Sequence, residues 1–395
     1  MQWITQTVAV TMLNLRTVPQ RLGSSGVAII GIAGVVVVFV SVLSIAAGFT
    51  AAMQGTGSPA RALVMRSGAD SEMTSGIGGD EAEVIKTAPG LLRDGQAAVA
   101  SAELYVIIDL PKKSTGTSAN VPMRGVEPTA TAVRDEVNIV DGRMFEFGTN
   151  EVIVGRGASG QFAGLTVGST VTTGQSSWNV VGVFEAGGSV NETEIWGDAR
   201  VLQGVYRRGN SYQLVLARLQ SSAEFDTFRD WLITNPQLNV QVQRETDYYA
   251  QQSRALSSLI QGVGFGIAFL MGIGAVFGAI LTMYTAVSTR SREIATLRAL
   301  GFNSGSVVIS VMAESLTLGL IGGLIGGAGA YFGFNGYQTS TINFQTFSQV
   351  AFAFRVTPEL LATGLIYALL LGLIGGLFPA IRAARLPIPT ALREL

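Results

Sequence analysis

The sequence predicts a polytopic α-helical membrane protein: four transmembrane helices, with a large α+β extracytoplasmic domain between the first and second. Three observations predict it. Only 13% of the 395 residues are charged, against about 25% for an ordinary soluble domain. The deficit is local, falling in 27–47, 256–289, 307–334 and 360–381, where Glu314 is the single charged residue. About 20 helical residues cross a hydrocarbon core roughly 30 Å thick, so each stretch suffices. Lastly, a long polar segment separates the first stretch from the other three.

Composition also excludes. The chain has no Cys and no His, which removes most zinc sites, thiol nucleophiles and Ser-His-Asp triads. A near-neutral balance of 26 basic and 27 acidic residues argues against a nucleic-acid binder that relies on a basic field. The 48% hydrophobic content rules out a disordered chain.

Charge orients the spans. Arg16 and Arg21 precede the first span without an acid; Arg290, Arg292 and Arg298 face only Glu293 between spans two and three; Arg382, Arg385 and Arg393 face only Glu394 after the last. The positive-inside rule makes these pieces, and hence both termini, cytoplasmic. The expected order is therefore a cytoplasmic interfacial helix (1–25), span one (26–48), an extracytoplasmic domain (49–255) and span two (256–288). A cytoplasmic loop (289–306), span three (307–334), a short outer loop (335–358), span four (359–381) and a cytoplasmic tail (382–395) follow. The first span's apolar core exceeds the roughly 7–15 residues of a signal-peptide core, so a retained anchor is expected. Trp3, Val8, Met12 and Leu13 suit the preceding segment to the membrane interface.

The segment 48–255 carries 17 basic and 23 acidic residues. Apolar alternation at 61–65 and 97–110 reads as strands flanking a short helix at 80–88, which Pro89-Gly90 ends. A second such unit has strands at 212–219 and 239–244. Its helix opens with Ser221 and Glu224 in capping-box spacing, ahead of Phe225, Phe228, Trp231 and Leu232. Between the two units lies a Gly- and strand-rich insert at about 120–205, so the domain reads as discontinuous. Residues 247–258 continue as helix into span two without a breaker, which suits them to pass on movement.

No GxxxxGK[ST] phosphate loop exists, and none of the three lysines follows such a run, so the chain has no ATPase motif of its own and reads as a non-enzyme. Glu192 with Glu194, and Glu81 with Glu83, read as solvated charges rather than acid–base pairs. No catalytic, metal-binding or directly bound cofactor residue is expected. Small-xxx-small spacings such as Gly274/Gly278 and Gly319/Gly323 suit close helix packing. Glu314 is the intramembrane polar residue; lacking a second acid, Lys or His nearby for a relay, it reads as snorkelling or pairing with a cytoplasmic-side arginine or hydroxyl.

The most specific stretch is the loop, STRSREIATLRALGFNSGSV. Ile294, Leu297 and Leu300 are expected on one side of a short helix, with Gly301 as a left-handed cap. The run SREIATLRALGFNSGSVVISVMAESLTLGLIGGLIGG closely resembles the FtsX-like permease module of ABC transporters of the MacB type. PAIRAARLPIPTALREL resembles that family's ending, and MRGVE, VDGRMFEFGTNEVIVG and WNVVGVFEAGGSVNETEIW resemble its outer domain.

The resemblance implies a permease subunit without a fused ATPase, in a bacterial cytoplasmic (inner) membrane. It would export or extract substrate by mechanotransmission from a cytoplasmic ATPase to the outer domain. It further implies a separate ABC ATPase supplying ATP hydrolysis, a second permease subunit (a homodimer), and in some relatives a periplasmic adaptor and outer-membrane channel. Arg292, Glu293, Ile294, Leu297, Arg298 and Gly301 carry over as ATPase-coupling residues. Two alternatives stay open at this point: release of lipoproteins or lipids, and non-transporting regulation of a cell-wall hydrolase.

Overall fold

The computed structural model describes residues 2–17, 22–174 and 176–391. Arg21 and Arg393, used above to orient the chain, and the side chain of Trp3 lie outside the described residues. In chain order the helices begin with α1 (Gln2–Thr17), α2 (Leu22–Gly55), α3 (Gly79–Ile85), α4 (Ala130–Val133), α5 (Arg156–Gln161), α6 (Ala199–Val205) and α7 (Phe225–Thr234). They continue with α8 (Glu245–Ser288), α9 (Ser291–Ala299), α10 (Ser304–Phe334), α11 (Pro358–Arg385) and α12 (Ile388–Ala391). Four of these, α2, α8, α10 and α11, are long and apolar enough to cross a membrane. The chain divides into two compact units.

The helical unit comprises 1–47, 258–337 and 354–395. Lipid supplies no hydrophobic drive between helices, so close backbone approach must hold it together. The glycines of α10 permit that approach. A Cβ on Gly319 would stand 2.9 Å from the Ala368 carbonyl oxygen, and one on Gly372 2.8 Å from that of Ser315. At the same crossing the Ser315 hydroxyl donates to the Gly372 carbonyl at 2.6 Å. Gly323 meets Ala368, and Gly326 meets Val36 of α2. Gly274 and Gly278 differ: nothing lies within 4 Å of a Cβ on either. Among the described residues no neighbouring helix meets that pair, and α8 turns this face away from its neighbours. Only Gly319 and Gly323 of the two expected pairs close a helix contact here.

The α1 helix packs on α10 through polar contacts. Asn14 Nδ2 donates to the Ser310 carbonyl at 3.1 Å, and the Thr7 and Ser306 hydroxyls lie 2.9 Å apart. Val8, Met12 and Leu13 remain exposed, an apolar face of the kind that enters a headgroup region.

The α/β unit comprises 48–257 and 338–353. Its strands are β1 (Arg61–Arg66), β2 (Ile77–Gly78), β3 (Arg93–Asp94), β4 (Ala97–Ala98), β5 (Ala100–Pro111), β6 (Ser118–Val126), β7 (Asn138–Gly142) and β8 (Glu151–Gly155). Then come β9 (Thr170–Thr173), β10 (Ser176–Glu185), β11 (Ile195–Asp198), β12 (Ser211–Tyr212), β13 (Leu214–Arg218), β14 (Val240–Arg244), β15 (Gln338–Ile342) and β16 (Gln349–Ala353). One ten-stranded sheet runs β14-β1-β13-β5-β6-β11-β8-β10-β7, with β9 paired to β10.

The residues 120–205 form the far half of this sheet rather than a separate body. The strand β5 belongs to both halves: Ala100 to Glu103 pair with β13, and Leu104 to Pro111 pair with β6. Ala100 and Ala102 sit in a core with Val64, Phe228 and Leu232. Leu104, Val106 and Ile108 sit in another with Val154, Phe162 and Trp178. Two further expectations change. The stretch 335–358 is not a loop: β15 and β16 form a hairpin within the α/β unit. Ser221 makes no capping hydrogen bond, since a 3-10 turn (Ser222–Glu224) intervenes and α7 starts at Phe225.

Candidate functional site

The candidate site is the loop helix α9 with the buried charges that anchor it. Arg290 precedes the helix and is buried. Its Nε donates to Glu293 Oε2 at 2.7 Å. Its Nη1 donates to Asn14 Oδ1 and lies 3.7 Å from Glu314 Oε2. Glu314, 3% exposed, thus meets a cation at the arginine-rich end of the spans. A buried carboxylate without such a partner costs several kcal/mol. One side chain therefore ties α1, α9 and α10 together. Of the partners expected for Glu314, a cytoplasmic-side arginine is the one found, and Arg290 of the loop is that arginine; Asn14 carried no signal in the sequence.

The inner face of α9 is Ile294 and Ala295, both buried, with Arg298 beside them. Arg298 Nη1 donates to the Leu386 carbonyl at 2.6 Å, fastening α9 to the end of α11. Leu297 is half-buried, while Leu300 is 73% exposed. The expectation that Ile294, Leu297 and Leu300 share a side is corrected. At about 100° per residue, Ile294, Ala295 and Arg298 cluster, whereas Leu300 falls about 120° from Ile294. Arg292, Glu293, Thr296 and Leu300 form the open face.

Gly301 adopts φ +92°. Its N–H donates to the Arg298 carbonyl at 3.1 Å, and the Phe302 N–H donates to that of Leu297 at 3.1 Å. This pair of bonds closes a helix end on a left-handed residue, a position that costs a side chain strain and glycine little.

A second charged cluster lies in the α/β unit, at the point where β5 changes partners. Arg124 on β6 meets Glu72 at 2.8 Å, Glu103 at 2.9 Å and Glu194 at 2.7 Å. Arg134 meets Glu103 at 2.5 Å. Trp196 Nε1 donates to Glu194 at 2.7 Å. All five charged groups are buried. Burial alone would raise the Glu103 carboxyl, but Arg134 and Arg124 outweigh it and hold it below the ordinary value. Burial prevails at Glu72, which is pushed up, with Glu194 and Glu103 adding to the push. Glu194 is accordingly no solvated charge, contrary to the reading of the Glu192/Glu194 pair. Glu192 instead accepts from the Ala186 and Gly188 N–H groups.

At the base of α8, Glu245 pairs with Arg61 at 2.5 Å, and Arg61 holds Glu136 at 2.8 Å. Gly57, at φ +116°, packs directly on Glu245, where a Cβ would meet its Cγ at 3.1 Å. None of these groups forms a nucleophile with a base, and among the described residues no acidic cluster is arranged to hold a metal ion. The arrangement positions helices.

Comparison with known proteins assigns both parts. Residues 25–234 match the MacB-like periplasmic core domain, and 265–388 match the FtsX-like permease C-terminal domain. Over 139 residues the chain is 30% identical to the uncharacterized ABC transporter permease YknZ of Bacillus subtilis, covering 35% of this chain and 32% of that one. Over 297 residues it is 25% identical to the macrolide export ATP-binding/permease protein MacB of Bdellovibrio bacteriovorus, covering 69% and 44%. The chain thus spans less than half the length of these relatives. The extracellular domain of YknZ superposes on 47% of this chain and all of that one, with TM-score 0.36 and 16% identity. The periplasmic region of MacB from Actinobacillus actinomycetemcomitans superposes on 51% and 96%, with TM-score 0.38 and 10% identity. The first family model spans more than half of the sequence, and the chain belongs to the MacB-like, FtsX-like family of ABC transporter permeases.

Proposed function

We propose that this chain is the membrane subunit of an ATP-driven transporter of the MacB type, with both termini cytoplasmic in a bacterial inner membrane. A separate ABC ATPase, bound at the open face of α9, moves two permease subunits, and the movement reaches the α/β unit to export or extract substrate. The observation that carries this reading is α8, an unbroken helix of 44 residues, about 66 Å long at 1.5 Å per residue. Its first residue, Glu245, is held by Arg61 in the α/β unit. Its last, Ser288, lies two residues before Arg290, the anchor of α9. A helix of that kind carries displacement from one end to the other. Among the described residues the spans show no polar lining for a hydrophilic path, and Glu314 is paired with Arg290, which favours a mechanical role over a channel.

The test is Leu297→Asp and Leu300→Asp, examined for co-purification with the cognate ATPase and for coupled ATP hydrolysis. Loss of both with normal membrane insertion is expected. Retention of assembly and coupling in both variants contradicts the reading.

A further inference from the structure

A cavity of about 450 Å³ opens where α8 ends, beside the last turn of α11. Tyr284, Thr285, Ser288, Thr289 and Ser291 line it together with Arg382, and the apolar Val287 and Leu386 complete the lining. The Arg382 guanidinium stands 5.2 Å from the centre of the Tyr284 ring. It makes no ion pair among the described residues, and no acidic side chain lines the cavity. No side chain caps the first turn of α9, whose leading residue, Ser291, is in the wall. The nearby acid of that turn, Glu293, is engaged by Arg290. The Thr285 and Thr289 hydroxyls donate to the Leu281 and Ala286 carbonyls of their own helix. A concave site with an exposed cation, the Ser288 and Ser291 hydroxyls and uncapped amides suits a phosphate oxyanion.

The surroundings say which phosphate. One helical turn toward the membrane, Leu281 stands on the same face of α8 as Thr285, and Phe277 one turn beyond it. On α11, Phe378 stands one turn from Arg382, and Ile374 one turn further. All four are exposed: Leu281 68%, Phe277 63%, Phe378 55% and Ile374 46%. The two helices meet along this seam, where a Cβ on Gly375 would touch Ala279. Polar groups at the end of the spans, continuous with apolar strips running into them, match a headgroup above acyl chains. Basic pockets between transmembrane helices at this depth are suited to anionic lipid.

We propose that this cavity binds the phosphate of an anionic phospholipid, with Arg382 as its cation and the Ser288 and Ser291 hydroxyls as donors. The acyl chains lie along Leu281 and Phe378. Binding there holds the end of α11 against the start of α9, so the lipid sits beside the loop helix.

The test uses the full-length permease in detergent, with phosphatidylglycerol titrated and retention read by native mass spectrometry. Phosphatidylcholine and inorganic phosphate serve as comparison probes, and thermal unfolding serves as a folding control. Wild type is expected to retain phosphatidylglycerol over phosphatidylcholine. Arg382→Gln lowers that retention about fivefold, the worth of one basic residue at a charged lipid surface. Ser288→Asp, which places a like charge in the cavity without touching Arg382, lowers it similarly, and Arg385→Gln does not. Equal retention of the two lipids, or unchanged retention in both variants that keep their folding temperature, overturns the proposal. Inorganic phosphate that displaces the lipid at millimolar concentration assigns the cavity to a free anion and overturns the lipid. Unchanged lipid retention with lost ATPase association in Arg382→Gln assigns it to the protein partner, and also overturns it.

Discussion

Arg290 and Glu314 lie 3.7 Å apart across two helices that the charge pattern alone would separate, one group before the loop helix and the other inside a span. The carboxylate is buried, and Asn14 takes a second hydrogen bond from the same guanidinium. This places the only charged residue of the third span in direct contact with the start of α9.

Arg290→Ala removes the cation and leaves Glu314 buried alone. Breaking one side of a buried pair costs about 3–5 kcal/mol, and the longer separation here sets the expected loss near 3 kcal/mol. The double variant Arg290→Met with Glu314→Gln recovers most of it. Thermal unfolding in detergent measures both, and a double variant no more stable than the single one would show that the pair is incidental.

Two carboxylates of the α/β unit give opposite pH dependences. Glu103 is held below its ordinary value of 4.5, so its contribution is present above that pH and is lost as pH falls toward the folded value. Glu72 is raised above 4.5, so its contribution is present at and below that pH and is lost as pH rises through the folded value. Glu103→Gln therefore destabilises the unit by about 3–5 kcal/mol near neutrality and flattens the acid limb. Glu72→Gln flattens the decline above pH 4.5. Fluorescence of the buried Trp178 and Trp196, followed through unfolding both below pH 4.5 and from there to pH 8, reads both slopes; slopes of the same sign would contradict the assignment.

The helix-packing glycines separate into two kinds. Gly319→Val forces a side chain onto the Ala368 carbonyl, where a Cβ alone already stands at 2.9 Å, and overpacking of this sort costs about 1–3 kcal/mol. Gly274→Val meets nothing within 4 Å, and the unfolding temperature of the single chain stays within error of wild type. A matched loss in both would mean that α8 packs differently from the arrangement seen here.

Gly301→Val places a β-branched side chain at φ +92°, at a cost of about 1–3 kcal/mol. The loop helix frays at its far end, and coupling to the ATPase falls while membrane insertion is kept. Unaltered coupling in this variant would remove the cap from the site.

The spans were legible because hydrocarbon admits few charges, and 256–289 carries none. The continuation of span two back over 247–258 was legible from the absence of Gly or Pro there, and the structure carries the helix two residues further, to Glu245. The cap at Gly301 follows from local backbone sterics, which a sequence displays. Leu300 was misplaced because three leucine-like residues at spacings of three drift around a helix. The Arg124 cluster was not legible: Glu72, Glu103, Arg124 and Glu194 are far apart in sequence and are assembled only by the sheet. The hairpin of β15 and β16 was hidden by its polar first strand, QTSTI, which lacks a buried face of its own.

The account rests on α8 carrying movement between its ends, and a spin-label distance measurement addresses that most directly. With labels at Arg208 of the two permease subunits, bound to the ATPase in nanodiscs, the distance is compared before and after trapping with ATP and vanadate. The account predicts a shift in wild type that disappears when two glycines are inserted after Ser257, with ATP binding intact. A shift that survives the insertion unchanged would contradict it.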